Sequence, residues 1–367
     1  MQMQRKNNIP GSFKILISLL TALAGGGLFM LLKLPVPWLL GPMIATLIGN
    51  NVFKKHYEWP GQIRNAGMII VGYTIGLSLT APAVREMSGQ FPSMLMMTLL
   101  LLLFCAGMAW VVSRISGINY KTALLGTIPG GLTQMLVLAE ESEDVNLTVV
   151  TVIQVVRLIM IIVSVPLLIF SPLFDNGYSA GGAPAAAAVT GWESLFPNIV
   201  YFAAACTVCA VLGQKIKFPT AYLLGPAFIT SILQFAGLHA PVLPDLLTNA
   251  AQLMIGIYVG LLLDPRKLNN KLLILSLALG SSMVLIGGAY GLSYIFAYAE
   301  SVSGSTALLS LSPGGMDQMS LIAHEVGADL PLVAGYQLFR TFFIFFAVPP
   351  IFRMIFRAKK GQNPVVS

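Results

Sequence analysis

An octapeptide that interrupts an apolar segment occurs twice in this chain. It reads Ile128-Pro129-Gly130-Gly131-Leu132-Thr133-Gln134-Met135 and Ser312-Pro313-Gly314-Gly315-Met316-Asp317-Gln318-Met319. Proline has no backbone N–H and collides with the preceding turn, while glycine admits conformations that no helix uses. Each copy therefore ends one half-helix and begins another. Backbone groups freed inside an apolar segment cannot face lipid; they are tolerated where they line a cavity or are buried in protein. A kink made only for packing is the bland alternative, but one breaker suffices for a kink. Three in each copy point to a site.

Composition sets the class. Of 367 residues, 56% are hydrophobic and 10% charged, where soluble domains carry about 25% charged residues. The expectation is an all-α polytopic membrane protein. The net charge of +7 is read as topology. No basic helix or aromatic-studded basic patch suggests a nucleic-acid partner. Cys206 and Cys209 form a C-x-x-C within an apolar run. Without a second ligand pair they indicate packing rather than a metal or redox site, and no cofactor is expected. The first apolar run, Phe13 to Leu32, exceeds a signal-peptide core and reads as an uncleaved first helix.

The chain is a tandem duplication. Pro35–Thr46 aligns with Pro219–Thr230 at 6 of 12 identities, and Ala123–Met135 with Ala307–Met319 at 8 of 13. Asn65, Gly72 and Gly76 match Asn249, Gly256 and Gly260, all at one offset of 184 residues. Gln154 and Arg157 match Gln337 and Arg340 at an offset of 183. Copy one is placed at residues 10–171 and copy two at 195–355. A Gly/Ala/Ser-rich linker without Lys or Arg, 172–194, lies between them. Each copy has six apolar segments, most near the roughly 20 residues that cross about 30 Å of hydrocarbon.

Loop charges give the orientation. Lys54, Lys55, Arg64, Arg114 and Lys121 follow the second and fourth segments of copy one, whereas the matching loops of copy two have no Lys or Arg. Copy two instead places Lys215, Lys217, Arg266, Lys267 and Lys271 after its first and third segments. The bias changes sides, as in inverted-topology repeats. Inversion needs an odd number of crossings per copy. The expected fold is two inverted repeats of about five spans each, plus one Pro-Gly-Gly broken or re-entrant helix per repeat. With the breaks re-entrant, 17 of 21 basic residues fall on the cytoplasmic side, together with both termini. The linker falls outside. A full crossing by the broken segment, with another segment demoted, preserves the same parity.

The candidate site is Pro129, Gly130, Gly131 and Gln134 with Pro313, Gly314, Gly315, Asp317 and Gln318, and with Arg157 and Arg340 in the last span of each copy. Half-helices meeting at a break present carbonyls from one side and N–H groups from the other, suited to cations and anions respectively. A mid-membrane Arg costs about 2.5–3.5 kcal/mol on insertion scales. Two Arg against one Asp leave a cationic core, suited to an anionic solute or to balancing a carboxylate. The structural alternative is an ion pair, for example Arg340 with Asp317. Glu140, Glu141, Glu143, Asp144, His324 and Glu325 lie at segment ends, where solvation is favoured over proton transfer. The Gly-x-x-x-Gly pairs read as packing between the copies or at a homodimer face. The Leu-Leu-Gly-Pro motifs at Leu39–Pro42 and Leu223–Pro226 read as bending or shortening the second segment of each copy, with Trp38 and Tyr222 as interfacial anchors.

The doubled Leu-Leu-Gly-Pro, Gly-x-x-x-Gly and Pro-Gly-Gly-x-x-Gln-Met motifs resemble the AbrB family of bacterial membrane proteins. That family carries the labels ammonia monooxygenase and regulator of gene expression, and shares only a name with a soluble DNA-binding regulator. The resemblance implies a bacterial inner-membrane protein, and by fold analogy a place near inverted-repeat carriers with broken helices. The leading expectation is a secondary transporter of a small solute, with an anion favoured, working by alternating access and coupled to an ion or proton. The alternative is a membrane sensor or regulator that affects gene expression indirectly. A membrane enzyme comes third: an oxygenase needs clustered ligands, and the three histidines are scattered at 56, 239 and 324.

Overall fold

The computed structural model describes residues 10–34, 36–53, 56–130, 135, 138, 139, 142, 144–171, 198–216, 218, 220–262 and 271–357. Among them all regular structure is helical. The helices are α1 (Gly11–Leu31), α2 (Pro37–Val52), α3 (Gly61–Ser78), α4 (Ala81–Gly89), α5 (Phe91–Ser116), α6 (Tyr120–Thr127) and α7 (Leu147–Ile169). There follow α8 (Asn198–Lys215), α9 (Ala221–Phe235), α10 (Asp245–Leu262), α11 (Lys271–Glu300), α12 (Gly304–Leu311), α13 (Met316–Glu325) and α14 (Leu330–Arg357). Seven of these, α1, α5, α7, α8, α10, α11 and α14, are long and apolar enough to cross a membrane. An eighth is α3 with the following Ala83–Gly89 segment, if that pair, bent by 85°, is one span. The chain is a polytopic helical protein of the membrane type.

Two short helices occupy the interior. α2 has 16 residues and α9 has 15. At 1.5 Å per residue each falls short of the roughly 30 Å hydrocarbon layer. They are covered by other helices: α2 lies against α1 and α10, and α9 against α8 and α3. Leu39, Leu40 and Met43 of α2 join Leu223, Leu224 and Ala227 of α9 in the largest apolar cluster. Ile75, Ile161, Ile255, Met319 and Val333 complete it from α3, α7, α10, α13 and α14. α1 and α8 are peripheral and expose Leu20, Leu31, Tyr201 and Leu212.

Glycine sets the close contacts of this interior. A Cβ on Gly72 would meet the Leu223 carbonyl, and one on Gly256 would meet the Leu39 carbonyl. Gly76 faces the Ala227 carbonyl and Thr230, while Gly260 faces the Met43 carbonyl and Thr46. The contacts are reciprocal: each residue of one half meets the counterpart of what its own counterpart meets. The Gly-x-x-x-Gly pairs therefore pack one half of the chain on the other, as small-residue spacings allow.

The helices that carry the Leu-Leu-Gly-Pro motifs are short, as one of the two expected readings had it, but the motifs do not break them. Both helices run through Pro42 and Pro226. Gly41 lies against the Gly25 backbone of α1, and Gly225 against the Ala210 backbone of α8, so the motif serves close approach rather than a break. The turn precedes the helix instead. Val36 and Thr220, both at φ 47°, start α2 and α9 in the left-handed region, which β-branched residues rarely adopt. Trp38 packs its ring on Gly26 of α1, and Tyr222 lies against the main cluster. Both are packing residues.

Candidate functional site

Each broken segment and the helix after it begin side by side. In the first half, Asn119 Oδ1 accepts from the Lys121 N–H at 3.1 Å and starts α6. Thr122 Oγ1 accepts from the Asn146 N–H at 3.1 Å, and Asn146 Oδ1 accepts from the Val149 N–H at 3.2 Å, starting α7. The second half repeats the scheme. Ser303 Oγ accepts from the Thr306 N–H at 3.2 Å, Thr306 Oγ1 from the Asp329 N–H at 3.0 Å, and Asp329 Oδ1 from the Leu332 N–H at 3.0 Å. These are N-caps linked to one another.

The links fix the path of the break. Asp329 touches Thr306, and four residues reach about 14 Å at most, so the end of α13 at Glu325 lies within that distance of Asp329. A collinear α12 and α13 would end roughly 30 Å away. α13 therefore folds back, and Pro313-Gly314-Gly315 forms the tip of a hairpin beside α14.

At both tips a tight turn frees backbone groups. The Gly130 N–H donates to the Ile128 carbonyl at 2.9 Å, and the Gly314 N–H to the Ser312 carbonyl at 2.8 Å; each is a three-residue turn about the proline. The last carbonyls of α6 and α12 have no intrahelical partner. A Gln–Arg pair from the last helix of the same half collects them. Gln154 Nε2 donates to Leu125 O at 2.6 Å and Ile128 O at 3.0 Å. Arg157 Nη1 donates to Thr127 O at 3.1 Å and Ile128 O at 2.9 Å, and Nη2 to Gln154 Oε1 at 2.7 Å. In the other half, Gln337 Nε2 donates to Leu309 O at 2.7 Å and Ser312 O at 3.1 Å. Arg340 donates to Ser312 O at 2.8 Å, to Gly314 O at 3.1 Å and to Gln337 Oε1. A cation at the C-terminal end of a half-helix also complements its dipole.

Both arginines are buried, and the Nε group of each has no hydrogen-bond partner among the described residues. Gly314 at the second tip lies against the Ile161 side chain, one turn along α7 from Arg157, so the second tip packs on the helix that carries the first arginine. A cavity of about 30 Å³ beside Arg157 is lined by Gly130, Gln154, Leu158 and Leu262. That is room for about one water molecule.

The structure brings Pro129, Gly130, Pro313, Gly314, Gly315, Asp317, Gln318, Arg157 and Arg340 to the tips; Gly131 and Gln134 lie outside the described residues. Asp317 is buried in the first turn of α13, and its Oδ2 accepts from Gln318 Nε2 at 2.8 Å. The expected Arg340–Asp317 ion pair is not formed, because the guanidinium is occupied by the break carbonyls. His324 and Glu325 are exposed at the far end of α13, as segment-end charges should be, and Glu325 accepts from Gln252 at 2.6 Å. Asp144 is exposed too; Glu140, Glu141 and Glu143 lie outside the described residues.

Sequence reasoning took Arg64 only as a loop charge. It sits in the first turn of α3, its guanidinium carbon 4.7 Å from the Tyr258 ring centroid, and α3 packs on α13, which carries Asp317. The signal was available: Arg64 aligns with Thr248, and Asp317 with Thr133.

A family model described as "Transition state regulatory protein AbrB" matches residues 38–356. The chain belongs to the AbrB family. It is 28% identical over 332 residues to the "Putative regulator AbrB" of Escherichia coli (strain K12), covering 89% of this chain and 92% of that protein. It is 24% identical over 352 residues to the "Uncharacterized protein YhjN" of Bacillus subtilis (strain 168), covering 90% of each. The AbrB match thus spans both Pro-Gly-Gly tips and both Gln–Arg pairs.

Proposed function

We propose that this AbrB-family chain is a secondary carrier of a small anionic solute, working by alternating access between two inverted repeats, 10–171 and 195–355. One observation carries the reading. A Pro-Gly turn in each half frees backbone carbonyls, and beside each turn a buried arginine has an Nε with no hydrogen-bond partner among the described residues. Irregular backbone at membrane depth has a use where it faces a cavity, and unpaired guanidinium N–H groups suit an anion. The reciprocal glycine contacts support a two-fold relation between the halves. The change of side in loop charge supports laying that axis in the membrane plane. Both termini are then cytoplasmic, the linker 172–194 is outside, the hairpins re-enter from opposite faces, and the chain sits in a bacterial inner membrane. The protein is not an enzyme in this reading.

The test is purified protein in liposomes, offered a panel of radiolabelled small carboxylates and inorganic anions under an imposed pH gradient. Accumulation of at least one, lost in Arg157→Lys and Arg340→Lys proteins that still insert, is the expected result. A second reading is favoured by the printed name of the Escherichia coli relative, a regulator. A panel member that raises the unfolding temperature but never accumulates would establish a membrane sensor and remove the carrier.

A further inference from the structure

The two halves differ in charge at facing positions. Arg64 stands where copy two has Thr248, and Asp317 where copy one has Thr133. α3, which carries Arg64, packs on α13, which carries Asp317. The cation comes from one half and the acid from the other, and the matching positions, Thr248 and Thr133, carry no charge.

The acid has backbone N–H donors at the start of α13 but, among the described residues, no cation partner. Among the described residues no cation lies within 4 Å of its carboxyl. Arg64 rests on the face of Tyr258, 4.7 Å from the ring centroid, a cation–π contact. The remaining charges on helices packed against α13 are engaged or distant. Arg157 of α7 and Arg340 of α14 hold the break carbonyls, Arg353 and Arg357 lie at the far end of α14, and α12 carries no charge. On α13 itself, His324 and Glu325 are exposed at the other end. A carboxylate buried without a cation is costly, and the usual remedy is a proton.

The local geometry asks for the same proton. Gln318 Nε2 donates to Asp317 Oδ2, but Gln318 Oε1 is buried with no donor. That oxygen and Asp317 Oδ1 both lie against the open Cα face of Gly315. Two acceptors side by side repel; a carboxylic O–H on Oδ1 is a donor for Oε1 and completes an acid–amide pair. Gly315 has no side chain to occupy the space that the two oxygens share.

We propose that Asp317 is an exchangeable proton site, protonated while Arg64 rests on Tyr258 and deprotonated when Arg64 swings onto the carboxyl. The O–H bond breaks, the proton passes to water, and the guanidinium takes its place. The carrier reading enters only in what the proton drives, by making Asp317 the coupling site.

Infrared difference spectra of the full-length protein in lipid, titrated from about pH 4 to about pH 9 around the ordinary carboxylate range, test this directly. At neutral pH the native protein should show a protonated-carboxyl band that shifts in deuterium oxide and is missing in Asp317→Asn. That variant supplies an amide N–H to Gln318 and should fold. Arg64→Ala removes the competing cation, so the band should persist at least about one pH unit higher, tenfold in proton affinity. A native spectrum without that band at neutral pH, or a band that survives in Asp317→Asn, overturns the proposal. The band is read without any solute, so its absence leaves the carrier reading standing. A band that titrates in a protein accumulating nothing removes the carrier and keeps the proton site.

Discussion

Replacing Arg157 by methionine asks whether the buried arginines serve the backbone or only a solute. Methionine keeps most of the volume and removes the guanidinium. Three hydrogen bonds of good length are lost, to Thr127 O, Ile128 O and Gln154 Oε1. Bonds from a charged donor are worth about 1.5–3 kcal/mol each, so the gross loss is roughly 5–9 kcal/mol. Against it stands the roughly 2.5–3.5 kcal/mol that a mid-membrane arginine costs, which the variant no longer bears. Ile128 O keeps a donor in Gln154 Nε2 at 3.0 Å, which softens the loss further. The net expectation is a destabilisation of about 2–5 kcal/mol. Gln154→Leu loses two neutral bonds and the one it accepts from Arg157, and should cost about 2.5–6 kcal/mol. The double variant should be less destabilised than the sum by about 0.5–3 kcal/mol, because the two side chains hold one set of carbonyls. Unfolding curves in detergent or bicelles measure all three. If Arg157→Met unfolds with the native midpoint, the arginine does not cap the break, and its conserved geometry in both halves must be explained by ligand binding alone.

The remaining expectations concern packing and the tips. Gly72→Ala and Gly256→Ala each drive a Cβ onto a backbone carbonyl, of Leu223 and Leu39 respectively. Each should cost at least about 1–3 kcal/mol, and a much milder effect in one would break the reciprocity of the two contacts. Gly315→Ala places its Cβ on Gln318 Oε1 and 2.7 Å from Asp317 Oδ1. It should abolish proton-coupled uptake and the titrating carboxyl band while costing no more than about 1.5 kcal/mol of stability; a normal band would show that the shared space is not needed. Thr306→Val removes the acceptor for the Asp329 N–H and Thr122→Val that for the Asn146 N–H. Each should lower stability by about 1–3 kcal/mol, and an unchanged midpoint would deny that these threonines anchor the hairpins.

The class of the fold was legible because 56% hydrophobic residues with 10% charged leave few alternatives. The repeat was legible because glycine, proline and a buried Gln–Arg pair keep their spacing when apolar residues drift. The interior placement of α2 and α9 was less so. An apolar run of 15 or 16 residues looks the same whether lipid or protein surrounds it, and only the reciprocal contacts of Gly72 and Gly256 show which. The left-handed starts at Val36 and Thr220 carry no sequence signal at all, since neither residue favours that conformation.

The largest difference lies in what the arginines do. On sequence grounds, two buried cations against one acid left an excess charge in search of an anion. In the structure most of that demand is met by carbonyl oxygens, a choice that spacing along the chain cannot reveal. What remains for a solute in the proposed carrier, among the described residues, is the Nε–H of each guanidinium and the second Nη2–H of Arg157, a narrower and more directional set than net charge implied. The same geometry frees Asp317 from Arg340. An acid that has lost its obvious partner must find either a proton or another cation, and Arg64, held 4.7 Å above the Tyr258 ring, is the one placed to compete. The copy-one match of that acid is Thr133 and the copy-two match of that cation is Thr248. In the proposed carrier, Arg64 of one half and Asp317 of the other then form a charged pair where the matching positions carry two threonines.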